Sequence, residues 1–393
     1  MTDPPADASP EAEAPSKRDR DALVRLREAL PRIEAALATL GAQGLQRLSL
    51  ASVAELEALQ QSAHFAGLVT AARQLDALST HLRRYLDRDP LFHPDVWIGG
   101  INRVWLTLRA VARGLEGGES LDGLTPLLGE ARRSFVQREA PLQVQCVGAT
   151  GWVSDTDYVG VTALLAAEGE GDAVYEVVNA RPTMYFGRDP RDLLHHPLHD
   201  AVAYTLQDLM HGAFALERAK VSADRRLSLH KDLVVRDAPY RGARAYEPFA
   251  VPDAHTVVER LRSCGRDPLG HAPSVYVLLE PARWGSLVVD DKRAQARAEL
   301  TDARGAVVTL EVALREENNP LVDNLEHLLG ARAKVARPQG LFGRATVREA
   351  RLVLHPMTLL YDRAVVLGRG RARRVHEVHL SVEDVRGLKV GDA

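Results

Sequence analysis

Cysteine is scarce: Cys146 and Cys264 are the only two in 393 residues. A disulfide-stapled fold needs more, so a reducing, cytoplasmic setting is expected. Long apolar runs are missing as well. No stretch of about 18 apolar residues occurs, so no transmembrane helix and no membrane partner are expected. The opening MTDPPADASPEAEAPSKRDRD has no apolar core and does not read as a signal peptide. Charge of one sign is also lacking: the net value is −3, which excludes a chain that is basic or acidic throughout. Walker A, Gly-x-Gly-x-x-Gly and Gly-x-Ser-x-Gly stretches do not occur, and neither cysteine has an evident activating partner. The chain is therefore expected to be no enzyme, with no catalytic residues, no metal and no cofactor.

What is present falls into two textures. Residues 1–20 are rich in Pro, Ala, Asp and Glu and are expected to form a disordered tail. Residues 21–135 read as a helical domain. Leu23, Leu26, Leu30, Ile33, Leu37 and Leu40 recur at spacings of three and four, which puts them on one helix face. Ser52 with Glu55 has the spacing of a capping box, followed by an apolar face through Leu56, Leu59, Leu68, Leu75, Leu78, Leu82, Tyr85 and Leu86. Gly67 divides that stretch. INRVWLTLRAVARGL gives a further helix that ends before Gly117 and Gly118. Amphipathic helices joined by short links predict a helical bundle.

From about residue 140 the chain is Val-rich and partly alternating, as strands are. Here one segment is written twice. RAKVSADRRLSLHKDLVVRDA, residues 218–238, returns as RATVREARLVLHPMTLLYDRA, residues 344–364. Pro197-Leu198-x-Asp200 matches Pro320-Leu321-x-Asp323, and Leu227-x-Leu229-His230 matches Leu352-x-Leu354-His355, in the same order. Both halves read strand, strand, strand, helix, strand, strand, with a proline opening each helix. That predicts a tandem duplication. The order is that of a five-stranded OB barrel with its helix between strands three and four. The expected fold is α+β and multidomain: the helical bundle, an OB-like barrel at 140–240, a linker with a short helix at 241–275, a second OB-like barrel at 276–380, and a tail at 381–393. In this frame Leu227, Leu229, Leu352 and Leu354 point inward, and His230 and His355 are structural.

The order of features resembles a bacterial family, the proteins encoded beside SWIM zinc-finger proteins in neighbourhoods with a MoxR-type AAA ATPase and a von Willebrand factor A protein. The resemblance is carried by LQQSAHFAGLVTAARQLDALSTHLRRYLDRDP, by GWVSDTDYVGVTALLAAEGEGDAVYEVVNARP, and by WGSLVVDDKRAQARAELTDARG with LFGRATVREARLVLHP. It spans roughly residues 45–365. The chain has no Cys-x-Cys, so it lacks the SWIM zinc ligands themselves. The resemblance implies an accessory or adaptor role, with a SWIM-domain protein or the MoxR-type ATPase complex as partner.

Three groups of residues could carry chemistry. His195, His196 and His199, with Asp192 and His211, have the composition of a metal site. The matching positions of the second repeat read NNPLV, which favours a helix entry for both. Asp155, Asp157 and Asp172, and Asp290 with Asp291, fall at strand ends, where turns collect acids. The third group is basic. Residues 331–374 hold eleven Lys and Arg against two carboxylates. Arg344, Arg348, Arg351, Arg369, Arg371, Arg373 and Arg374, with Trp284 and Phe342 for stacking, form a candidate face for single-stranded DNA or RNA. Trp152, Tyr158 and Tyr175 are further stacking candidates. GRGRARR follows the second copy and has no counterpart after the first.

Overall fold

The computed structural model describes residues 17–129, 134–154, 156–199, 202–264, 273–330, 337–367, 373–386 and 388–390. They fall into two compact units, divided near residue 132.

The first unit is helical. Its helices are α1 (Lys17–Gln43), α2 (Leu50–Phe65), α3 (Val69–Leu86), α4 (Pro94–Glu116) and the short α5 (Leu121–Leu128). The first four pack as a four-helix bundle around Leu26, Leu30, Ile33, Leu37, Leu56, Leu75, Leu82, Val104 and Leu108, all buried. These are the positions that the three-and-four spacing selects, because burying one apolar stripe per helix is what stabilises short helices in water. Gly67, at φ +87, makes the break between α2 and α3. Two details differ from the sequence reading. α1 starts at Lys17, inside the segment expected to be disordered, and residues 1–16 lie outside the described residues. The cap of α2 is Ser49 rather than Ser52. The Ser49 amide donates to Ser52 Oγ at 3.3 Å, so Ser52 serves as the third helical residue of the motif.

The second unit is strand-rich. Its first repeat contains β1 (Leu142–Val153), β2 (Tyr158–Ala167), β3 (Val174–Pro182), β4 (Ala213–Glu217) and β5 (Val234–Asp237), with α6 (Leu206–His211) between β3 and β4. They pair in the order β5-β4-β1-β2-β3, and a parallel bridge from Glu176 to Arg226 links the third strand to the segment leading into the fifth. After α7 (Ala254–Ser263) the second repeat begins with a broken first strand: β6 (Ser274–Leu279), β7 (Arg283–Trp284) and β8 (Val288–Asp290). β9 (Gln295–Thr301), β10 (Val307–Ala313), helix α8 (Asn319–Leu329), β11 (Gly340–Arg348) and β12 (Arg351–Leu367) follow. β6 pairs with β11, β11 with β12, β12 in parallel with β10, β10 with β9, and β9 with β7 and β8. Counted by position in its repeat, each strand has the same kind of neighbour in both halves. Leu352 and Leu354 are buried inward, as are Leu227 and the equivalent pair Ala219 and Ala345.

Three expectations are corrected. HHPLHDAVAYTLQDLMHG is not one helix entered at Pro197. Pro197–His199 and Val202–Thr205 form an antiparallel hairpin, and the helix starts only at Leu206. The β-branched and aromatic run Val202-Ala203-Tyr204-Thr205 suits a strand. Thr205 and Asp208 then close a capping box, the Thr205 amide donating to Asp208 Oδ2 at 2.9 Å. In the second repeat Pro320 does sit in the first turn of α8.

The 241–275 stretch is not a slack linker. Its short helix is α7, but a 3₁₀ segment at Gly242–Phe249 comes first and buries Tyr246 and Phe249 completely. Gln145 pins it, donating to the Gly242 carbonyl at 3.2 Å and accepting from the Arg241 amide at 2.9 Å.

Residues 381–393 are not simply a tail. After a further strand, β13 (Arg373–His379), which pairs with β12, Val382 enters the core of the first repeat and Val385 and Leu388 enter that of the second. Burying three apolar side chains outweighs the freedom of a loose end.

Candidate functional site

The outer face of β11 and β12 carries part of the expected basic surface. Arg344 pairs across the ladder with His355 and Arg348 with Arg351, so alternation sets these four on one face while Leu352 and Leu354 point inward. Arg344, Arg348 and Arg351 are exposed. Arg374 lies elsewhere: it pairs with Val366, fifteen residues along β12 from Arg351, roughly 50 Å of extended chain. Arg369 and Arg371 lie outside the described residues, as does the side chain of Arg373. The structure therefore splits the eleven-cation cluster.

The stacking partners fail. Trp284 is inside the second repeat's core, and Phe342 is fully buried. Phe342 is on the outer face of its strand, but that face meets the first repeat rather than solvent. Its ring packs edge-on against Tyr246 at 5.6 Å and Phe249 at 5.2 Å, and stacks on Tyr276 at 5.9 Å. Val147, Leu164 and Ala166 of the first repeat complete the cluster. Tyr175 is buried too, its hydroxyl donating to Glu170, whereas Tyr158 is half exposed at a turn.

Arg348 has a structural job. It reaches Glu311 Oε1 at 2.7 Å, and Arg297 reaches Oε2 of the same carboxylate at 3.1 Å. The Glu311 side chain is only 4% exposed, so it depends on both partners. Arg348→Ala is expected to cost about 1 kcal/mol, discounted because the arginine is itself half exposed, while Arg351→Ala costs nothing measurable. Urea melts of both variants check this, and equal midpoints would refute the role given to Arg348.

Between the two repeats lies a cleft of about 440 Å³. Thr150 and Trp152 from β1, Thr162 from β2 and Glu176 from β3 line one side. Tyr276, Glu311, Arg315, Glu317, Arg344, Arg348 and His355 line the other. The Trp152 indole donates to Thr162 Oγ1 at 3.1 Å and lies against Gly160, where a Cβ would stand 2.2 Å from the ring. His355 approaches the Glu311 carbonyl with Nδ1 at 3.2 Å. Burial, with Arg344 and Arg348 nearby, holds its ring below the ordinary histidine range. Burial and the Glu176 charge push the Tyr276 phenol up. Of this set the sequence marked only Trp152, Arg344, Arg348 and His355. Tyr276, Glu176 and Glu311 sit in ordinary alternating strands, and no local signal separates them from their neighbours.

The histidines divide as well. His195 and His196 are exposed, His196 packing edge-on against Phe186 at 4.8 Å. The His199 side chain lies outside the described residues. His211 belongs to another group: its Nε2 is 2.6 Å from Glu383 Oε1, nearly buried. Among the described residues no three His, Cys, Asp or Glu side chains are grouped to hold a metal ion. Of the acids, Asp157 and Asp172 sit in turns, Asp290 accepts the amide of Arg293 within its own turn, and Asp155 lies outside the described residues.

A buried polar chain crosses from one repeat to the other. The His379 amide donates to Glu383 Oε2 at 2.6 Å, and its ring Nε2 faces the Met210 carbonyl at 3.1 Å. Thr358 Oγ1 lies 3.0 Å from His379 Nδ1 and donates to the Val147 carbonyl at 2.9 Å. Burial pulls the His379 pKa down to about 4. Burial alone would raise the Glu383 carboxyl, but His211 and His379 outweigh it and hold the group below its ordinary value. Cys146, buried nearby, is pushed up to about 12 by burial, which keeps it an unreactive thiol.

The exposed large apolar groups of the helical unit are Val24 on α1, Leu50 and Phe65 on α2, and Val96, Ile98, Trp105 and Leu106 on α4. Ile98 is 55% exposed, Leu106 47% and Trp105 44%. Ile98, Trp105 and Arg109 follow helical spacing, and the Arg109 guanidinium lies over the Trp105 ring at 5.6 Å. Beside them a groove of about 520 Å³ runs between α1 and α4, lined by Leu30, Pro31, Glu34, Arg109 and Ala112 among others. Pro31 lacks the amide that a helix interior would use, which loosens α1 at this point. Arg109 reaches across to Glu34 at 3.9 Å.

Residues 27–135 match the YehQ four-helical bundle domain. The match covers the helical unit and stops short of the β repeats, and no curated protein matches the chain. Among solved structures, a chain from "Structure and Conformational Change of a Replication Protein A Heterotrimer Bound to ssDNA" aligns at 11% identity with a TM-score of 0.27, over 58% of this chain and 50% of that one. The chain thus spans half the length of that protein, and a score so low carries no argument about fold or ligand. Among the described residues no helix is long and apolar enough to cross a membrane.

Proposed function

We propose that the protein is a non-enzymatic adaptor that holds a protein partner on the α4 face of its YehQ-like bundle. The observation that carries this reading is the exposure of Ile98 and Trp105, seven residues apart on one side of α4, with Leu106 exposed next to Trp105. Large apolar and aromatic groups clustered on a surface mark protein contacts, and a tryptophan flanked by arginine is a frequent anchor. The alternating charges that rim the groove, Glu34 and Arg109 with Arg27 and Glu116, complement an amphipathic helix of mixed charge. In this reading the two β repeats are OB-like barrels serving as a rigid platform, supported by the shared order of their strand neighbours. The partner is the SWIM-domain protein or the MoxR-type AAA ATPase complex that the sequence resemblance implies.

Co-purification tests it. Tagged full-length chain should retain one of those two proteins, and the double variant Ile98→Ser, Trp105→Ala should lose it with no change in melting temperature. Retention of neither by the unaltered chain would leave the adaptor reading without support.

A second reading, single-stranded nucleic-acid binding, keeps one observation in its favour. Arg344 and Arg351 share an exposed face and make no ion pair among the described residues. Fluorescence anisotropy with labelled single-stranded DNA and RNA across a salt series addresses it, and no binding at low salt would dispose of it.

A further inference from the structure

The cleft between the β repeats has a chemistry that the adaptor reading does not use. We propose that it binds a small anion bearing a planar ring, of the size and kind of a nucleoside monophosphate. This goes beyond the adaptor reading and does not rest on it.

One arginine of the cleft is left to hold an anion. Arg315, Arg344 and Arg348 line it together with the carboxylates of Glu176, Glu311 and Glu317. Arg348 is engaged with Glu311 at 2.7 Å, and Arg315 is near Glu317 at 3.7 Å. Arg344 makes no ion pair among the described residues, and its ladder neighbours are Tyr276 and His355. His355, held below the ordinary histidine range by burial with Arg344 and Arg348 nearby, offers a hydrogen-bonding ring edge. An arginine fork of this kind takes phosphate or carboxylate with two parallel hydrogen bonds.

Two aromatic rings, Trp152 and Tyr276, border the cleft and suit a planar group. The Trp152 ring is fixed in place by its bond to Thr162 and by Gly160 behind it. Tyr276 stacks by one face on Phe342, at an interplanar angle of 14°, and borders the cleft. Two rings held this firmly cost little entropy when a third slides against them. Two polar groups remain to read the ligand's edge. Thr150 Oγ1 is buried with no hydrogen-bond partner, and the Glu176 carboxylate makes no ion pair among the described residues. A carboxylate accepts from an exocyclic amine of a nucleobase. At about 440 Å³ the space is within the roughly 300–1,000 Å³ of ordinary small-molecule sites.

Isothermal titration calorimetry of the full chain tests the proposal with AMP, GMP, adenosine, inorganic phosphate and a short single-stranded oligodeoxyadenylate. AMP or GMP is expected to bind at about 1 mM or tighter, with adenosine and phosphate each at least about tenfold weaker. Arg344→Ala should weaken the nucleotide by about tenfold or more, and Arg236→Ala, a surface arginine outside the cleft, should leave it unchanged. Thermal melts confirm that each variant is folded. An oligonucleotide that binds and is displaced by AMP identifies the source as a single strand; AMP binding without oligonucleotide binding identifies a free nucleotide. The proposal falls if no nucleotide binds at several times that concentration, if Arg344→Ala binds as well as the parent, or if phosphate alone binds as tightly.

Discussion

Phe342→Ala is expected to lose about 4 kcal/mol of stability, the upper part of the range for large-to-small changes in a core. Phe342 is fully buried and touches Tyr246, Phe249 and Tyr276. Removing its ring opens a cavity where the two β repeats meet, and the surrounding rings are held by different elements, so they cannot close together over the gap. Phe342→Leu keeps most of the volume and should cost far less, about 1 kcal/mol. Guanidinium melts of both variants measure this. A loss under about 1 kcal/mol for the alanine variant would mean that the aromatic cluster does not join the repeats, and would restore Phe342 as a candidate surface group.

Acid is expected to destabilise the second unit steeply between pH 6.5 and 4. His379 takes up its proton near 6.5 when unfolded and only near 4 when folded, because burial disfavours the charged ring. Between those values the unfolded chain binds more protons, so lowering the pH favours unfolding. The contribution is complete above 6.5 and is lost on the way down to about 4. It amounts to about 3 kcal/mol, or roughly 10 °C in melting temperature. Glu383 acts in the same sense at lower pH. Its folded carboxyl is held below the ordinary value of 4.5, so its contribution is present above that value and is lost only in stronger acid. Melting curves from pH 7.5 to 4 should show the slope, and His379→Gln, which cannot titrate, should flatten it. An unchanged slope in that variant would sink the assignment.

The sequence reads well where one local period decides the outcome. Leu26, Leu30, Ile33 and Leu37 were marked by spacing alone and are buried. Ala219 and Ala345, at matching positions of the twice-written segment, are both buried. The failures share a cause. Phe342 alternates outward from its own strand, and only the packing of a distant repeat turns that outward face into an interior. Trp284 ends a two-residue strand, too short for a period to be inferred. His211, His379 and Glu383 are up to 172 residues apart in sequence and meet only in the folded chain. Pro197 signals a helix entry, but the β-branched run after it favours strand, and the chain forms a hairpin there. The cleft residues Glu176, Tyr276 and Glu311 carry no signature that a strand without a site would lack.

The placement of Val382 bears on synthesis. It sits in the hydrophobic interior of the first β repeat, whose opening residue, Leu142, leaves the ribosome 240 residues earlier. That repeat therefore cannot finish its core until Val382 has been made. It must wait, partly formed, for a segment 240 residues away, and only then can both repeats close together. A chain cut before Val382 would leave both β repeats without a piece of their cores.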